Sequence, residues 1–268
     1  MSTREQPLSG ARSEAPEEDV TQEPEPTIDP AGAHTPRPRA AMLGPDAQGR
    51  GGAASVVAAL QRAGSAYADI ELIVTHRDGS VGLKVRTWLR GMRTLAWLLL
   101  GHRVDVIHAH VSERGSVLGE GLVVLLARRF RVPVLLHCHG AEFFDWYAGQ
   151  RSGGRWLVRR VFGAAQRLGV ESESAKRDYV RALGVSRERV VVLGQPVRLP
   201  ELPPVRDEGV RALFLGRFGE RKGSADVLAA AAGLPDDIRR QFSLRMAGEG
   251  AVQETVDLAR DLALAVRI

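Results

Sequence analysis

Cysteine is nearly absent from this chain: Cys138 is the only one in 268 residues. A single thiol excludes a disulfide framework and makes a reducing compartment the default. Lysine is almost as scarce. Lys84, Lys176 and Lys222 are the three lysines among 37 basic residues, so each stands where arginine is the habitual choice. Aromatic residues make up 5% of the chain and do not interleave with the basic ones, which removes the stacking platform of a single-strand nucleic-acid binder. No apolar run reaches membrane-spanning length, the longest lying around residues 95–100. The N-terminus also lacks the basic and apolar segments of a signal peptide. From these absences we expect a cytoplasmic protein without nucleic-acid partners, with a peripheral contact at the inner face of the membrane left open.

What is present is enough for a core, since 44% of residues are apolar. Charge is unevenly spread. Residues 1–36 hold eight acids and two arginines, net −6, and the overall +5 therefore leaves +11 on the rest. A basic body suits phosphate-bearing ligands. Residues 1–39, rich in Pro, Glu, Ser and Thr, cannot bury enough surface to offset chain entropy and read as a disordered tail.

The chain is organised around residues 105–143. An apolar run at 104–109 ends at His110, a helical pattern follows over 116–130, and Pro133 opens a second run at 134–136 that ends in His137, Cys138, His139 and Gly140. Two apolar strands joined by such a helix make a right-handed βαβ unit, whose parallel strands end side by side at the edge where open α/β sheets bind ligands. Upstream, a short strand at 40–43 leads through the glycine-rich 44–52 into a helix at 53–62; this loop is either an anion cradle or a plain tight turn. A strand at 69–75 precedes an amphipathic helix at 83–101, with Val85, Leu89, Met92, Ala96 and Leu99 on one face. Arg86, Arg90 and Arg93 form a stripe on another face, read either as solvated or as lying on anionic lipid. Further elements are expected at 154–165, 167–171, 172–183 and 189–193, with Ser172 and Gly184 capping the third.

Four prolines between 196 and 204 mark a domain boundary. Beyond it the pattern restarts: a strand at 210–215, the loop GRFGERKG at 216–223, a helix at 224–232, a strand at 242–246 ending in Gly248 and Glu249, and a helix at 252–264. The expected domains are thus 40–199 and 200–268.

Taken in order, GGAASVV, DVIHAH, VPVLLHCHGAEF, GRFGERKG and LRMAGEG resemble the family 4 glycosyltransferases over about residues 40–268. The resemblance implies an α/β chain of GT-B type, with a Rossmann-like N-terminal domain on the acceptor side and an incomplete second Rossmann-like domain for the donor nucleotide. It implies retaining transfer of a sugar from a nucleotide-sugar to a carbohydrate or lipid-linked acceptor, in polysaccharide or glycoconjugate synthesis. Carried over position by position, it places Gly51, Gly52, Arg217 and Lys222 at the donor diphosphate. Gly248 and Glu249 fall near the nucleotide, and His139 near the reacting sugar, as the catalytic candidate. The family's E-x7-E segment has no counterpart before Ile268, so a truncated sequence is expected. Two other readings stay open, a non-catalytic glycan- or acceptor-binding module and a GT-B nucleotide-sugar epimerase.

The chemistry of the residues agrees with transfer. A departing diphosphate develops negative charge, which arginine meets as a planar fork and lysine as a point charge. The two H-x-H pairs, His108/His110 and His137/His139, raise zinc as an alternative to ordinary strand-end histidines. No carboxylate completes an evident second shell in the sequence, and no metal or other cofactor is expected.

Overall fold

A computed structural model describes residues 37–49, 51–112, 114–140, 142–196 and 209–268. The acidic tail up to residue 36 and the proline-rich connection from residue 197 lie outside the described residues, as does Arg50 in the glycine loop. The chain divides into two units, Met1–Arg198 and Leu199–Ile268.

In the first unit the elements run β1 (Arg39–Pro45), α1 (Gly52–Gly64), β2 (Asp69–His76), α2 (Val81–Leu100), β3 (Val106–Val111) and α3 (Gly115–Arg129). They continue with β4 (Val134–Cys138), α4 (Phe143–Ala148), α5 (Ser152–Ala164), β5 (Arg167–Val170), α6 (Glu173–Leu183) and β6 (Val190–Val192). The strands form one parallel sheet in the order β2-β1-β3-β4-β5-β6. Because parallel crossovers are right-handed, α1 lies on one face while α2, α3, α5 and α6 layer the other. Alternation then sorts the strands. Leu43, Ile107 and Leu136 are fully buried in the core with Leu95 and Leu99 of α2 and Phe162 of α5. Met42, Gly44, His108, His110 and His137 point the opposite way, toward the face of α1.

The order reverses between β1 and β3, since β1 leads to β2 on one side and neighbours β3 on the other. Their C-terminal ends are the topological switch point, where doubly wound sheets hold ligands.

One expected helix face is shifted. On α2 the buried residues are Gly91, Leu95, Leu98 and Leu99, while Val85 and Leu89 are 51% and 55% exposed. Gly91 decides this, because a Cβ there would sit 3.0 Å from the Val74 carbonyl of β2; the helix presses its glycine side to the sheet. On α3, Val117, Gly121 and Val124 turn inward and Leu118, Leu122 and Leu125 outward. The short α4, which the sequence pattern did not announce, nucleates an aromatic cluster. Phe143 is fully buried and its ring lies 4.9 Å from Tyr179, 5.3 Å from Phe162 and 5.9 Å from Tyr147. Arg159 Nε donates to Tyr147 Oη at 2.8 Å, tying α5 to α4. Burying a side chain such as Phe143 stabilises the fold by about 1.5–3 kcal/mol, and here it anchors the segment that follows His139. The caps of α6 are as expected: Ser172 Oγ accepts from Ala175 N at 3.1 Å, and Gly184 closes the helix at φ 69°.

The second unit comprises β7 (Val210–Leu215), α7 (Ser224–Ala232), α8 (Asp236–Arg239), β8 (Phe242–Ala247), α9 (Val252–Asp261) and β9 (Val266–Arg267). Its strands are parallel in the order β7-β8-β9, with β9 a two-residue addition to the two expected strands. Phe218, Leu228, Leu244, Met246 and Ala259 form its core.

Candidate functional site

The strand-end histidines stand as a rack of rings. His110 pairs in register with His137, which sets all four residues on one face of β3 and β4. Ring centroids are 4.6 Å apart for His108/His110, 5.2 Å for His110/His137 and 4.2 Å for His137/His139. Room for them comes from the neighbouring strands. A Cβ at Gly44 of β1 would meet His110 Cδ2 at 3.1 Å, while one at Gly169 of β5 would clash with Leu193 Cδ1 at 2.5 Å and touch His137 Cδ2 only at 3.5 Å.

Hydrogen bonding links the rings in pairs. His108 Nε2 lies 3.1 Å from His137 Nδ1, and His110 Nδ1 lies 2.7 Å from His139 Nε2. His139 Nδ1 is 3.7 Å from Glu171 Oε1, and Gln195 Nε2 donates to the same carboxylate. Burial disfavours the charged imidazolium throughout. It holds His108 down to about 4, His137 to about 3 and His110 to about 2, with repulsion from neighbouring rings adding to the effect. His139 is lowered by the same burial while Glu171 pulls upward. The rack is therefore neutral at neutral pH. Cys138, on the opposite face, is pushed up to about 12 by burial and is no nucleophile.

Glu171 is the residue sequence reasoning missed. It follows the last residue of β5, next to β4, so aligning the strand ends would have found it 32 positions from His139. Both ring nitrogens of His139 are directed at protein atoms, His110 on one side and Glu171 on the other.

The glycine loop opens beside this rack, because Gly44 abuts His110. Asp46 shapes the turn: its Oδ1 accepts from Gln48 N at 3.1 Å and its Oδ2 meets Arg77 at 2.9 Å. Gly51 holds φ 105°, a conformation that favours glycine, and caps α1 with no side-chain hydrogen bond. A Cβ at Gly51 or Gly52 would meet nothing within 4 Å, and the first turn of α1 carries no acid. The backbone N–H groups of this helix start are thus open to an anion.

In the second unit, Arg217 and Lys222 are both exposed on the loop between β7 and α7. Residues Glu220–Lys222 form a single 3-10 turn bounded by Gly219 at φ 137° and Gly223 at φ 68°. The buried Ser224 at the start of α7 accepts from Gly219 N at 2.9 Å and pins the turn against the helix. Gly248 has a packing reason of its own: a Cβ there would overlap the Gly216 carbonyl oxygen at 1.8 Å. The two strand-end loops are laced together, with Gly216 N donating to Ala247 O at 3.0 Å and Phe218 N to Glu249 O at 2.7 Å. Arg217, Lys222, Gly248 and Glu249 thus share one end of the β7/β8 pair. Gly51, Gly52 and His139 share the C-terminal edge of the larger sheet. A recess of about 560 Å³ bounded by Arg39, Asp69, Trp97 and Arg103 opens at the opposite edge, where strands begin, and includes none of these residues.

The Glycosyl transferase 4-like domain matches residues 21–196, more than half of the chain. Among solved structures, WaaG, a glycosyltransferase involved in lipopolysaccharide biosynthesis, superposes with a TM-score of 0.57 at 14% identity, over 85% of this chain and 69% of that one. HepE of Anabaena, solved in complex with UDP, gives 0.56 at 14% identity, over 85% and 68%. A glycosyltransferase from Rickettsia africae gives 0.56 at 14% identity, over 87% and 68%. At such identities the likeness is one of fold, the GT-B type. No curated protein matches the chain in sequence.

Proposed function

The chain belongs to the glycosyl transferase 4-like family, and from that premise we propose that it moves a sugar from a nucleotide-sugar to a carbohydrate or lipid-linked acceptor with retention. Residues 40–199 serve the acceptor side and 200–268 the donor nucleotide, in synthesis of a cell-surface polysaccharide or glycoconjugate. In this reaction the bond from the anomeric carbon to the diphosphate oxygen breaks. The acceptor hydroxyl oxygen bonds to that carbon on the same face, and its proton leaves on the diphosphate.

The observation that carries the reading is the β7–α7 loop. Lys222 and Arg221 stand on a glycine-bounded turn at a helix start, and Arg217 lies two residues before that turn, where a diphosphate gains from both charge and N–H groups. Lys222 is notable because arginine supplies nearly every other cation. HepE, of like fold, was solved with UDP, which favours a uridine nucleotide as the first donor to try. In the second unit Gly248 and Glu249 flank the nucleotide; in the first, Gly51 and Gly52 offer backbone N–H groups to a diphosphate and His139 meets the sugar. For that contact His139 must exchange one of its present partners, His110 or Glu171, for a sugar hydroxyl.

The acceptor side carries a surface that suits a lipid-linked substrate. Val85 and Leu89 are exposed on α2 beside Arg86, Arg90 and Arg93, which gives apolar contact and positive charge on one helix. No helix among the described residues is long and apolar enough to cross a membrane.

The test is calorimetric titration of UDP into the chain and its Arg217→Ala/Lys222→Ala variant. We expect affinity to fall about 10–100-fold, the loss of two charge-assisted contacts, with the unfolding midpoint unchanged. Equal affinity in the two proteins would overturn the donor assignment. With an accepted donor, an NMR spectrum of the product showing an inverted anomeric centre would overturn retention.

A further inference from the structure

We propose that His108, His110 and His137 form a binding site for a divalent transition metal of the zinc class, with His139 and Glu171 as the outer residues that orient it. The site is independent of the sugar-transfer reading. Its three residues each offer a ring nitrogen, and these atoms all lie within 4.8 Å of one another. Two nitrogens on one tetrahedral zinc, with bonds of ~2.05 Å, are ~3.3 Å apart. The His108 Nε2–His137 Nδ1 separation of 3.1 Å is close to that spacing, and the metal would replace the hydrogen these two nitrogens share. Ring rotation at His110 must bring the third nitrogen closer by up to ~1.5 Å.

The unpaired atoms point the same way. His137 is fully buried and His110 is 6% exposed, yet the Nε2 atom of each has no hydrogen-bond partner. A buried ring nitrogen without a partner requires a reason. For His110 Nε2 a bound cation supplies one, while His137 would ligate through Nδ1. Protonation logic runs outward from Glu171, whose carboxylate only accepts. It favours hydrogen on His139 Nδ1, which makes His139 Nε2 an acceptor for His110 Nδ1–H. His110 Nε2 is then a bare lone pair, the ligand form of imidazole. A carboxylate acting through a histidine on a ligating histidine is a longer version of the outer-shell arrangement that fixes tautomers at zinc sites. The metal would tie β3 to β4 beside the switch point and fix the ring that His139 contacts.

The experiment uses the full chain, stripped with chelator and dialysed against Zn2+ or Co2+ alone. One equivalent of metal per chain is expected, with Co2+ giving the visible bands of a tetrahedral nitrogen site and Zn2+ raising the melting temperature. His108→Gln, half-buried and the least disruptive change, should abolish the Co2+ bands, while Glu171→Gln should weaken metal affinity about 10–100-fold. A His34→Gln/His76→Gln/His102→Gln variant controls for the histidines outside the rack and should bind as the parent does. Two results would overturn the proposal: no stoichiometric uptake by the parent chain, or uptake and bands retained in His108→Gln. Donor binding by Arg217 and Lys222 is read separately, so failure of either site leaves the other standing.

Discussion

The two units treat buried polarity in opposite ways. Among the described residues, the second unit buries Ser224 and Thr255, and both are bonded, Ser224 Oγ accepting from Gly219 N and Thr255 Oγ1 donating to Ala251 O at 2.7 Å. The first unit buries Thr75, whose Oγ1 donates to Gly44 O at 3.4 Å, but also His110, Glu120 and His137, each of which keeps an atom with no partner. A hydroxyl that closes a turn belongs to the architecture. An ionisable group sealed in without a partner costs stability, so it marks a place selected for something other than folding. The cations proposed for the donor lie the other way, exposed on the surface of the unit whose interior is fully matched.

The largest test of this contrast is Phe143→Ala, which removes the ring at the centre of the cluster around α4. It should cost about 3–5 kcal/mol in urea unfolding, because the first unit offsets its unmatched groups with dense aromatic packing. An unchanged midpoint would mean that the packing is not what holds those groups in place.

Glu120 sharpens the comparison through pH. Burial pushes its carboxyl from the ordinary 4.5 up to about 8. Below about pH 4.5 the folded and unfolded chains both hold the proton, and the group has no effect on the balance. As pH rises from there to about 8, the unfolded chain ionises freely while the folded one does not, so stability falls across that window. Glu120→Gln should match the parent near pH 4 and exceed it by a few kcal/mol near pH 8.5, measured as denaturant midpoints. Parallel stability curves for the two proteins would refute the burial assignment.

The smallest expected effect is in the second unit. Ser224→Ala leaves Gly219 N without its acceptor and should cost about 1 kcal/mol, seen as faster proteolysis of the loop between β7 and α7.

Much of this was legible in the residues. Strands β1, β3, β4, β7 and β8 were visible because short apolar runs end in glycine, histidine or proline, and the second unit repeats that grammar. The face of α2 was not, since its sequence offers two apolar stripes and periodicity cannot choose between them. Contact does: Gly91 admits the sheet, so Leu95 and Leu98 go in while Val85 and Leu89 stay out. Helix α4 escaped notice because FFDWYA is too short to show a period. Of the site, the histidines and the β7–α7 cations were evident, whereas Glu171 joined them only through the lateral order of the strands.

Gly44 gives the histidine edge a further meaning. Parallel sheets normally hold their tips with branched aliphatic side chains, which tolerate substitution of similar volume. At this edge β1 surrenders a side chain where His110 stands. Cohesion there resides in the same atoms that the proposed sites would use. Any drift in these rings would loosen the scaffold and alter its chemistry in one stroke, and so this corner has less freedom to vary than the leucines around it.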